Sequence, residues 1–73
     1  MDNMTDKEAF EWLQEEWPLT ALHMEHAARE AQGVDELFER VASHYFSGSA
    51  REILRAAARY KIAQKIEEYL RKD

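Results

Sequence analysis

The chain has no cysteine, one proline and two glycines in 73 residues. Without cysteine, no disulfide and no thiolate metal site contributes to the fold. That fits a reducing compartment, and a cytoplasmic location is the expectation. Proline and glycine are too scarce to punctuate a hairpin protein, and no alternating apolar run reads as a strand. No apolar stretch approaches the roughly 18 residues of a membrane span, and no signal-peptide pattern is present. No membrane partner is expected. The glycine-rich phosphate loop, the cysteine nucleophile and any Ser/His/Asp signature are missing as well. The carboxylates fall on faces that read as solvated, and the chain is short for a preformed pocket of several hundred Å³. Neither an enzyme nor a bound cofactor is expected.

What is present is helix-forming sequence. Charged residues make up 34% of the chain, and the net charge is −5. The charge is unevenly placed. Residues 1–49 hold 3 basic and 11 acidic side chains, and residues 50–73 hold 7 basic and 4 acidic. The acidic front repels phosphate backbones, which disfavours nucleic acid as the main partner. The asymmetry favours acidic-on-basic packing, within the fold or between copies.

The periodicity predicts an all-α, four-helix domain over residues 1–73, a bundle or an orthogonal array, with helices at about 6–16, 18–32, 34–45 and 49–71. Thr5 to Glu8 is a capping box, and Phe10, Leu13 and Trp17 form the first core stripe with Ala9 beside them. Trp12 lies off that stripe among acids and reads as a contact residue, because tryptophan is enriched at binding hot spots. Trp17-Pro18 marks a boundary, and Gly33 suits the end of the second helix. That helix has small or apolar residues on both sides: Ala21, Met24, Ala28 and Ala31 on one, Leu19, Leu22 and His26 on the other. It is expected to pack closely between two others. The third helix is the clearest amphipath, with Val34, Leu37, Phe38, Val41 and Tyr45 inward, and Phe46 off that stripe.

The fourth helix organises the rest. Ser49 and Glu52 fit a capping box at its start. Its apolar residues fall on two faces, Ile53, Leu54, Ala57 and Tyr60 on one and Ile62, Ile66, Tyr69 and Leu70 on another, roughly 150° away. One straight helix cannot turn both toward a single small core. Either it breaks near Tyr60 to Ile62, or its second half packs elsewhere. Arg51, Arg55 and Arg59 form a stripe at i, i+4, i+8, in line with Ile62 and Ile66.

These surfaces favour a small helical protein–protein interaction module, a regulator or adaptor acting by helix docking. Its partner is another protein or a second copy of itself. The residues expected to carry the contact are Trp12, Arg51, Arg55, Arg59, Ile62, Ile66, Tyr69 and Leu70. Two alternatives stand beside it. His23, His26 and Glu30 share one sector of the second helix, a spacing that suits zinc or iron, although no Glu-x-x-His repeat supports it. His44 is the only other histidine. The other alternative is a nucleic-acid-binding regulator. Ala27-Ala28-Arg29-Glu30-Ala31, Gly33-Val34, His44-Tyr45-Phe46 and Arg51-Glu52-Ile53-Leu54 resemble the helix-turn-helix of tetracycline-repressor-type regulators. The resemblance implies that the third helix would read DNA. The chain departs from the pattern in its longer spacing from Gly33 to Phe46, and that helix carries Asp35, Glu36 and Glu39 against Arg40.

Overall fold

The computed structural model describes residues 4–45 and 50–71, and those residues form four helices without a strand. They are α1 (Asp6–Glu16), α2 (Pro18–Ala28), α3 (Val34–Tyr45) and α4 (Ala50–Arg71). The domain is all-α, as its composition dictates. The expected Ser49 cap and the place of Phe46 lie outside the described residues.

α1 begins as its sequence requires. Thr5 accepts from the Glu8 amide at 3.1 Å, and the Glu8 carboxylate accepts from the Thr5 amide at 2.9 Å. Two otherwise orphaned donors are satisfied by one reciprocal pair. The helix stops because Trp17, with φ −138° and ψ 68°, has left the α region, which a residue before proline disfavours. This corrects the expected α1 stripe. Trp17 is the residue that caps the helix rather than part of it, and it is 46% exposed.

α2 starts with Pro18 in its first turn and ends at Ala28, four residues short of the expected Gln32. The reason comes from far along the chain. Lys65 Nζ donates to the carbonyls of Ala28 (2.8 Å), Arg29 (3.3 Å) and Ala31 (2.8 Å). Continued helix would need those carbonyls for its own amides. The ammonium claims them and places a positive charge at the negative end of the helix dipole. After the turn, Glu36 accepts from the Gln32 amide at 3.0 Å, and α3 begins.

The core contains Phe10, Leu13, Met24, Leu37, Phe38, Val41, Leu54 and Ile62, with alanines between them. Ala21, Ala27, Ala28, Ala42, Ala56, Ala57 and Ala58 are all buried. Small side chains on α2 and α4 let the backbones approach closely, so a short chain closes one core. Leu13, Met24, Leu37 and Leu54 are fully buried, and each such side chain contributes about 1.5–3 kcal/mol. Phe10 stacks obliquely on Tyr60 at 5.8 Å between centroids.

α4 does not break. It is one helix of 22 residues, about 33 Å long at 1.5 Å per residue. Leu54, Ala57, Ala58 and Ile62 are buried, whereas every residue from Lys65 to Arg71 is exposed. The second apolar face is therefore divided: Ile62 closes the core, and Ile66, Tyr69 and Leu70 extend past it.

Candidate interaction surface

The arginine stripe lies along α4 as its spacing predicts, but its side chains are engaged within the fold. Arg55 Nη1 lies 2.7 Å from Asp35 Oδ1, and Arg59 contacts both carboxylate oxygens of Asp6 at 3.0 and 3.2 Å. The Arg51 and Arg55 guanidinium carbons sit 4.8 and 4.3 Å from the Phe38 ring centroid. Asp6 and Asp35 both occupy first turns, where a carboxylate also complements the helix dipole. The acidic front and the basic tail thus meet inside one chain. Each of these ion pairs is partly solvated, with Asp35 89% exposed, so each is worth at most about 1 kcal/mol. They orient α1 and α3 on α4 and leave less cation surface for an outside ligand.

Trp12 is also drawn inward. It is half-buried and packs against the core, and it does not stand out from the acidic face as its wheel position suggests. Ile62 is only 8% exposed and is removed from the outward-facing set. The remaining expected contact residues, Ile66, Tyr69 and Leu70, are 54%, 77% and 71% exposed. They sit at i, i+3 and i+4, one side of the last two turns. Glu67, Glu68 and Arg71 surround them, with Arg71 and Glu67 paired at 3.5 Å.

A second apolar surface was not singled out in the sequence as a contact site. Leu19 is 76% and Leu22 49% exposed, on the side of α2 opposite Met24 and Ala28. The expectation that α2 is covered on both sides is corrected: one side faces the core and the other faces outward. With Gln14, Pro18, Ala21 and Glu25, these leucines line a groove beside the end of α1. The signal was present, since α2 is apolar on both sides, and a helix apolar all round is ordinarily covered all round.

His23, His26 and Glu30 do line one open hollow, with Arg40 and Ser43. Among the described residues, however, no group of three His, Cys, Asp or Glu side chains is placed to hold a metal ion. Glu30 instead faces Arg40 at 3.5 Å. His23, His26 and Glu30, the alternative ligand trio, therefore share a hollow but are not brought together as a ligand set. Arg40 also bonds Glu36 at 2.8 Å. The Glu36 carboxyl is held below the usual carboxylate range, first by the Gln32 amide it accepts and then by Arg40. Among the described residues no helix is long and apolar enough to cross a membrane. No protein-family model, curated protein or solved structure matches this chain.

Proposed function

We propose that the chain is a helical protein–protein interaction module, a regulator or adaptor that acts by helix docking. The observation that carries this reading is the end of α4, which is exposed on all sides yet bears Ile66, Tyr69 and Leu70 together. Two exposed turns would not keep three large apolar side chains in water without a use for them. Anchors at i, i+3 and i+4 are what a helix presents to an apolar groove. The helix-turn-helix reading has less support. The outer side of α3 is acidic, and its one arginine is bonded to Glu30 and Glu36.

The test is a photo-reactive residue placed at Tyr69, with the same residue at Glu39 on the outer side of α3 as control. Irradiation in native extract is expected to give a protein adduct from position 69 and none from position 39. Absence of any adduct at position 69, either with another protein or with the chain itself, would end this reading.

A further inference from the structure

We infer that the partner of this surface is a second copy of the chain, with the end of α4 of each protomer seated in the α1–α2 groove of the other. The inference rests on the docking reading above and identifies the occupant.

Three observations lead to it. The first is that the chain carries two unpartnered apolar surfaces of different shape. One is convex, the protruding end with Ile66, Tyr69 and Leu70. The other is concave, the groove floored by Pro18, Leu19 and Leu22. A two-fold axis uses both surfaces twice and closes, leaving neither open to a further copy.

The second is area. From their fractional exposures, Leu19, Leu22, Ile66, Tyr69 and Leu70 together present roughly 600–700 Å². A standard interface takes about 800 Å² from each partner, and seldom under about 600 Å². The protruding end alone supplies about half of that, so pairing end to end falls short and the reciprocal arrangement does not.

The third is charge. Copies of a chain at −5 repel one another overall. The repulsive excess sits on the outer side of α1, at Glu8, Glu11, Glu15 and Glu16. The protruding segment from Lys65 to Arg71 is neutral, with two acids and two bases. Among the described residues the one charge lining the groove is Glu25, and the tip of α4 brings Arg71, the opposite sign.

The experiment is light scattering after size exclusion over a concentration series. Four samples are compared: the unmodified chain, Leu22→Glu, Tyr69→Glu, and an equal mixture of the two variants. Both substitutions are at exposed positions, and circular dichroism verifies that each variant keeps its helices. The unmodified chain is expected to approach twice the single-chain mass as concentration rises to about 100 µM. Each variant alone should remain at the single-chain mass, with dimerisation weakened at least tenfold. The mixture should exceed either variant in mass while staying below the unmodified chain, because the mixed pair keeps one intact contact, half of the interface, and each variant alone keeps none. Pairing end to end would be abolished by Tyr69→Glu and untouched by Leu22→Glu, which overturns the proposal. A single-chain mass for the unmodified chain throughout also overturns it. In that event a photo-adduct from position 69 with a different protein leaves the docking reading standing, and absence of any adduct removes both.

Discussion

Lys65 is the residue on which most of the local architecture turns. Its ammonium satisfies three carbonyls at the end of α2. Lys65→Met keeps the stem and removes the charge, leaving those carbonyls to water. Hydrogen bonds from a charged donor contribute about 1.5–3 kcal/mol when well shielded. These are partly exposed, so a loss of about 1–2 kcal/mol is expected, or a Tm lower by roughly 5–10 °C in a domain of this size. Thermal unfolding followed by circular dichroism measures it, and an unchanged Tm would show that water replaces the lysine at no cost. Glu36 gives a second prediction at this scale. Its pKa is depressed in the folded state, so its stabilising contribution is complete above the unfolded carboxylate pKa. That contribution is lost as pH falls through the lower folded value. In an NMR titration the Gln32 amide and the Glu36 carboxyl should shift together, at a midpoint below the ordinary glutamate value. Separate midpoints would break the link between them.

At the scale of the element, the helices differ in how they are fixed. Leu54 is fully buried on α4, and Leu54→Ala is expected to cost about 2–5 kcal/mol, enough to unfold much of a small domain. Urea denaturation reads this directly. Further along the same helix the packing ends. Amides from Leu54 to Ile62 should exchange slowly, and those from Tyr69 to Arg71 should exchange fast in dilute solution. Uniform protection of α4 in a dilute sample would contradict the exposed end. Three of the four helices were legible in sequence, and the reasons are local. Thr5 and Glu8 start α1, the proline after Trp17 ends it, and the period of Leu37, Phe38 and Val41 defines α3. The end of α2 was not legible, because the group that sets it lies 37 residues away. The exposure of Trp17 is hidden from sequence for a different reason: the i, i+3, i+7 period continues through position 17, where the backbone has already left the helix. The two faces of α4 were visible as a pattern, but only the fold could show that Ile62 belongs to the core and Ile66 does not.

At the scale of the whole molecule, the positive charge of most arginines is met within the chain. Arg40, Arg55, Arg59 and Arg71 each face a carboxylate of the same chain. A duplex of about 20 base pairs should therefore show no saturable anisotropy change at ~50 mM salt, where phosphate binding is strongest. A steep, salt-sensitive isotherm would revive the nucleic-acid reading. The candidate surface was half legible in sequence. Ile66, Tyr69 and Leu70 were identifiable because they fall off the face defined by Leu54 and Ala57. Leu19 and Leu22 look like packing residues in sequence, since sequence alone does not say which side of an apolar helix a neighbour covers.

The other three helices are each held to α4 by a cation that α4 supplies: α1 through Arg59, α3 through Arg55 and α2 through Lys65. Helix α4 also contributes Leu54, Ala57 and Ile62 to the core. The recognition information for assembly is thus concentrated in one segment that begins after α3 has ended. A synthetic peptide of α4, added to a chain that stops after α3, carries every one of those cations and core residues with it. The molecule is in that sense divisible into two complementary parts, and joining them would be a readout of proximity for whatever each part is fused to.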